Sequence, residues 1–168
     1  MTTIACTGHR DLPPATQRLV QTAVKHFLAD RTPALVGVCC LADGADQIFA
    51  RAVLDAGGQL EAVIPARRYR DGLPTETHAE YDALLAQAAT VHKLPSTDST
   101  PDAHMRASQH MLDLADELLA IWDRKPARGY GGTADVVADA RQRGMTVHVI
   151  WPPGATRDTL ASGPAPRP

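Results

Sequence analysis

Six short apolar runs, at residues 3–7, 34–41, 60–65, 91–94, 117–123 and 146–151, alternate with longer segments whose apolar residues recur every three or four positions. Runs of that length suit buried strands, and the three-to-four spacing suits helices with one apolar face. Leu19, Val20, Ala23, Val24, Phe27 and Leu28 follow Pro13-Pro14 and predict a helix over 15–29, ended by Thr32-Pro33. Ile48, Phe49, Ala52 and Val53 predict a second, stopped by Gly57-Gly58. Further helices are expected over 76–89, over 102–115 with Met105, Met111, Leu112 and Leu114 on its inner face, and over 134–143. Residues 67–72 and 95–101 read as polar loops. Parallel strands cannot be joined by tight turns and need crossover helices, which pack on the sheet with one hand. The alternation therefore predicts a single α/β Rossmann-like domain, a mainly parallel sheet with helices on both faces.

A chain of 168 residues fits one such domain. With only 4% aromatic residues, its core must be built from Ala, Val, Leu and Ile. The domain is expected over 1–152. Residues 153–168 carry Pro, Gly, Ala and Ser without periodicity and read as a flexible tail. A formal charge of −2 without a basic block argues against non-specific binding to duplex nucleic acid. No stretch approaches the ~20 apolar residues of a membrane span, and residues 1–10 lack the features of a signal peptide, so a cytoplasmic location is expected. Cys6, Cys39 and Cys40 show no metal-ligand spacing, and adjacent cysteines make a poor disulfide, so reduced thiols and no metal are expected.

In parallel α/β sheets, ligands collect beyond the carboxyl ends of the strands. Gly131-Gly132-Thr133 lies between a strand-like run and a helix-like one. Glycine permits close backbone approach, and the first helical turn offers unpaired N–H groups backed by a partial positive charge, so an anion such as phosphate fits there. An ordinary glycine loop with Thr133 as helix cap matches the same residues. Two other strand ends carry comparable segments: TGHR at 7–10 and LADGAD at 41–46.

Together, TGHR, LADGAD and GYGGTADVV (129–137) give the chain a resemblance to the SLOG superfamily over about residues 4–152. That superfamily takes in the Lonely Guy enzymes, the DNA-processing protein DprA and the stand-alone YpsA-like proteins, and the resemblance is nearest to the last. It implies a first ligand loop of Gly8, His9 and Arg10, the arginine suited to forked contacts with phosphate oxygens or, alternatively, paired with Asp11 or another carboxylate. His9 can contact a base or sugar, or be held by backbone hydrogen bonds. In LADGAD, Gly44 permits a tight turn close to a ligand, while Asp43 and Asp46 either cap the next helix or accept from sugar hydroxyls. Arg106 matches by position an arginine that Lonely Guy-like proteins send into their pocket; a solvated arginine fits equally. Asp123 binds a hydroxyl, orders the loop, or pairs with Arg124 or Lys125. Gly129, Gly131, Gly132 and Thr133 form the phosphate loop, with Tyr130 placed to stack on a base or to cover apolar surface.

Lonely Guy enzymes cut the bond between base and ribose 5′-phosphate with a PGGxGTxxE signature. This chain departs from it: Arg128 replaces the proline, Tyr130 one glycine, and Val136 the glutamate. Valine cannot move a proton or stabilise an oxocarbenium ion. Asp135 is one residue away, ~100° around a helix, and more naturally stabilises the helix start. Arg106 and Asp135 are thus weak catalytic candidates. The reading that follows is a module binding a nucleotide or nucleotide-derived phosphorylated ligand, as sensor or carrier, with no other cofactor. The alternatives are an enzyme that hydrolyses or transfers an N-glycosidic bond, like the Lonely Guy hydrolases or nucleoside deoxyribosyltransferases, and a DprA-like single-stranded DNA binder, which the charge and low aromatic content disfavour. The resemblance also implies a homodimer or higher homo-oligomer.

Overall fold

The computed structural model describes residues 1–31 and 33–157. Its strands are β1 (Thr2–Gly8), β2 (Leu35–Cys39), β3 (Gln59–Ala66), β4 (Thr90–Ser96), β5 (Glu117–Ile121) and β6 (Thr146–Ile150). Its helices are α1 (Pro14–Ala29), α2 (Ala45–Asp55), α3 (His78–Gln87), α4 (Pro101–Leu114) and α5 (Thr133–Gln142). All six strands pair in parallel, in the order β4-β3-β2-β1-β5-β6.

Each helix is a crossover, so the direction of travel sets the face it covers. From β1 to β4 the chain moves one way, and Val20 and Val24 of α1, Phe49 and Val53 of α2 and Leu84 of α3 pack together on one face. From β4 it returns past β1 to β5 and β6, which puts Ala107 and Met111 of α4 and Val136 and Val137 of α5 on the other. The core is mainly Ala, Val and Leu, but it also holds Phe49, Tyr69, Tyr81, Trp122 and Met111, so most of the few aromatics are spent there. Strand order reverses between β1 and β5, and at such a switch point the loops diverge and leave a crevice.

Several boundaries differ from the sequence reading for local reasons. Leu41 falls outside β2 because its φ is +58°, incompatible with a strand. Two 3-10 turns, Arg70–Gly72 and Thr75–Thr77, follow β3, and the second delays α3 to His78. At the sheet edge β4 runs seven residues, longer than its apolar run. The Thr16 hydroxyl in the first turn of α1 donates to the Thr156 carbonyl (2.8 Å) and accepts from the Thr156 amide (2.9 Å). Residues 153–157 are thereby held against the domain by polar contacts that leave no hydrophobic period to read; 158–168 lie outside the described residues. No helix among the described residues is long and apolar enough to cross a membrane, and no three potential metal ligands cluster there.

Among the described residues, three that are not glycine adopt the left-handed region: Asp11 (φ 51°), Leu41 (φ 58°) and Arg124 (φ 64°). They follow β1, β2 and β5 respectively. Such conformations cost of order 1 kcal/mol each, and all three lie at the carboxyl end of the sheet.

Candidate functional site

A cleft of about 440 Å³ opens at the carboxyl ends of β1 and β5, against the N-terminus of α5. Gly8, His9 and Arg10 form one wall, and residues 127–134 form the other. Arg10, Lys125, Arg128 and Arg157 line it, and among the described residues no carboxylate does. Arg10 is paired with Asp43 behind it, so Lys125, Arg128 and Arg157 carry most of the lining's positive charge.

The glycine loop differs in detail from the sequence reading. The Gly131 amide donates to Asp135 Oδ2 (2.9 Å) and the Gly132 amide to the Gly129 carbonyl (3.2 Å). The amides of Asp135 and Val136 both turn back to the Gly132 carbonyl. Thr133 and Ala134 are left with amides that have no hydrogen-bond partner among the described residues, at the positive end of α5. The donors left open at this end of α5 are therefore the Thr133 and Ala134 amides rather than those of Gly131 and Gly132, which the loop consumes. Gly132, not Thr133, is the helix cap. Gly131 has φ +80°, and a Cβ on Gly132 would lie 2.9 Å from Ala127 Cβ, so both glycines are required by the loop itself. At Gly129 a Cβ would meet open space.

His9 is 5% exposed, and its Nε2 lies 3.0 Å from both Asp123 Oδ1 and the Asp123 amide nitrogen. With a hydrogen, Nε2 donates to the carboxylate; without one, it accepts from the amide. Burial, followed by the charge of Arg157, pushes the imidazole pKa below its usual value and so favours the neutral ring. Burial pushes the other way on Asp123, but hydrogen bonds from the Lys125 amide and His9 outweigh it and hold the carboxyl below the usual range. Trp151 closes the pair from behind, edge-on to His9 at 5.4 Å. Asp123 thus orders the His9 ring and the loop to Lys125, and it is not among the residues lining the cleft.

LADGAD serves the same end of the sheet from beneath. Arg10 Nε donates to Asp43 Oδ1 (2.8 Å), and Asp43 Oδ2 accepts the strained Asp11 amide (2.9 Å). Asp43, buried, neither caps α2 nor lines the cleft; it aims Arg10, which remains 44% exposed. Gly44, with φ +81°, lies behind the first loop: a Cβ there would sit 2.7 Å from the His9 carbonyl, which accepts the Ala45 amide. Its own exposed side faces a separate groove beside α1 and α2. Asp46 bends back to accept the Ala42 amide (3.2 Å), and burial pushes its carboxyl pKa up to about 7. It lines a smaller recess of about 100 Å³ that shares Thr7, Gly8, Arg10, His104 and Gly131 with the main cleft.

Arg106 lies on the exposed side of α4, outside the cleft lining. One turn geometry explains this: His104, Ser108 and Met111 sit at i, i+4 and i+7 and form the face toward the recess, and Arg106 is on the opposite side. Burial, then Arg10, lowers the His104 pKa. Sequence reasoning passed over His104, Lys125, Arg128 and Arg157 as lining residues. The helical spacing held a signal for His104; nothing local pointed to Arg157, which arrives through the Thr16–Thr156 contacts.

Val136, in the position of the Lonely Guy glutamate, is 1% exposed and packed in the core, and Asp135 is engaged by the Gly131 amide.

No protein-family model and no curated protein matches the chain. Solved structures do. The DNA processing protein A of Streptococcus pneumoniae superposes with a TM-score of 0.65 at 19% identity, over 90% of this chain and 51% of that one. Its Helicobacter pylori counterpart, described by its single-stranded DNA binding, gives 0.66 at 18%, over 92% and 68%. The molybdenum cofactor binding protein of Rippkaea orientalis gives 0.56 at 11%, over 88% and 75%. The chain thus spans about half the length of the first of these. All share with this chain a Rossmann-like α/β fold.

Proposed function

Taking the SLOG-type Rossmannoid fold as its frame, we propose that this chain binds a nucleotide or nucleotide-derived phosphorylated ligand in the cleft between β1 and β5, as a sensor or carrier. The observation that carries this reading is the lining: four cations, no carboxylate among the described residues, and two unpartnered helix amides at a topological switch point. Arg10, held by Asp43 through Nε, keeps its outer guanidinium N–H groups for the ligand. Hydrolysis of an N-glycosidic bond is the weaker reading, because Val136 is in the core and Asp135 is bound to the loop.

The test pairs calorimetric titration of the full chain with nucleoside 5′-monophosphates and chromatography of the incubated mixture for free base. Saturable binding without free base is expected. Arg10→Ala should weaken that binding about tenfold, the loss typical of one hydrogen bond to a charged group. Release of free base by the full chain would replace the carrier reading with an enzymatic one.

Tyr130 supports a second reading. It is 62% exposed at the rim of the cationic cleft, the combination that single-stranded nucleic acid uses for stacking and backbone contact. Oligonucleotide affinity that falls steeply with salt, and falls again in Tyr130→Ala, would favour it over a small ligand.

A further inference from the structure

The segment that follows β6 carries a cation into the cleft. The Ala155 amide closes a turn on the Pro152 carbonyl (3.0 Å) with Gly154 at φ +87°, and Arg157 then joins the lining. Little apolar surface keeps this segment down: none of residues 153–157 is buried, and Gly154 lies beside Leu19, itself 37% exposed. Among the described residues, what holds it is the pair of bonds between the Thr16 hydroxyl and the amide and carbonyl of Thr156. Thr16 is 1% exposed in the first turn of α1, whereas Thr156 is exposed, so the helix is the fixed partner.

Closing the segment places the Arg157 guanidinium among Arg10, Lys125 and Arg128, with no carboxylate in the described lining. Like charges oppose that closure. Asp123, whose carboxyl Arg157 helps to hold in its charged form, tempers the repulsion from outside the lining. An anion in the cleft reverses the balance, because it attracts Arg157 in the closed state and has no such contact in the open one. A ligand with that difference must shift the equilibrium between the two.

We propose that residues 153–157 are a strap whose closure is linked to occupation of the cleft, with Arg157 as a ligand-binding residue and Thr16, outside the lining, as the residue that positions it. The inference rests on reading the cleft as a phosphate site, and it adds the part that moves when the cleft fills. The linkage is reciprocal: the factor by which a closed strap tightens binding is the factor by which the ligand favours closure. A sensor needs such an element, since occupation must alter a surface beyond the cleft. Here that surface is the start of α1, where the strap is latched.

The test combines calorimetric titration of the full chain with inorganic phosphate and exchange of the Thr156 amide hydrogen followed by NMR. Arg157→Ala should weaken phosphate binding about tenfold, the worth of one hydrogen bond to a charged group. Thr16→Val, which removes the hydroxyl and keeps the shape, should weaken it at least about threefold, and Thr16→Ser should recover most of that loss. In a chain that already carries Arg157→Ala, Thr16→Val should cost nothing more, because the latch acts through that side chain. Saturating phosphate should slow Thr156 exchange in the unmodified chain by up to the same factor of about ten, and should leave it unchanged in Arg157→Ala. Full affinity in Arg157→Ala, additive losses from the two substitutions, or Thr156 exchange unmoved by saturating phosphate overturns the strap alone. Failure of the unmodified chain to bind phosphate overturns the phosphate reading of the cleft, and the strap with it.

Discussion

Asp46→Asn is expected to make the folded chain more stable at pH 8, by up to about 4 kcal/mol, with the gain shrinking as the pH falls. The Asp46 carboxyl is raised from 3.8 to about 7, first by burial and then by the nearby charge of Asp43, against the hydrogen bond from the Ala42 amide. Its folded pKa therefore exceeds its unfolded one. Below 3.8 both states hold the proton and the group is neutral to stability. Between 3.8 and about 7 the unfolded chain gives up a proton that the folded chain retains, so stability falls as pH rises. Above about 7 the whole penalty is in place. Asparagine has no proton to lose and escapes the penalty, but its one carbonyl must serve the Ala42 and Cys40 amides that the two carboxylate oxygens serve now, so about 4 kcal/mol is the upper limit of the gain. Urea unfolding at pH 5 and pH 8 measures this: the variant's advantage should be larger at pH 8. A variant less stable than the unmodified chain at pH 8, or an advantage that does not widen with pH, would contradict the burial of an ionisable Asp46.

Gly8→Ala is expected to cost about 3 kcal/mol or more, by overpacking at a junction with nothing flexible to yield. A Cβ on Gly8 would overlap Ala45 Cβ and lie 2.9 Å from both Cβ and the carbonyl oxygen of Ile121. Gly8 pairs with Ile121 in the sheet, and the Ile121 carbonyl accepts the His9 amide (3.2 Å). Relief therefore demands that the start of α2 or the β1–β5 ladder move. The glycine that resembles a ligand loop is fixed by packing, and it lets the start of α2 lie directly against the end of β1. Urea midpoints for the two chains test this, and a loss under about 1 kcal/mol would mean that the junction has room.

The contrast between those two residues shows what a linear reading can reach. The sheet was legible because hydrophobic period and strand length act over a few residues, and the Gly131–Thr133 segment because a glycine pair between a strand and a helix has few uses. TGHR and LADGAD could be placed at strand ends but not given roles. Asp43 grips Arg10 and the Asp11 amide across more than thirty positions, and no local pattern encodes that. Gly44 looked like a ligand glycine and instead shapes the back of the His9 loop, since a positive φ reads the same for either purpose. Arg106 was taken by analogy of position, whereas the pitch of α4 turns His104 and Ser108 inward. Arg157 depended on a hydroxyl at Thr16 that bridges two backbone groups from the other end of the chain.

Whether a phosphate sits on the first turn of α5 can be read residue by residue from amide chemical shifts during titration with a nucleoside 5′-monophosphate. Saturable shifts should be largest at the Thr133 and Ala134 amides, accompanied by the Arg10 side-chain resonances, while the Gly131 amide, held by Asp135, moves less. Shifts that centre instead on the distant groove by Arg70 and Tyr81, with Thr133 and Ala134 unmoved, would contradict the phosphate site at its foundation.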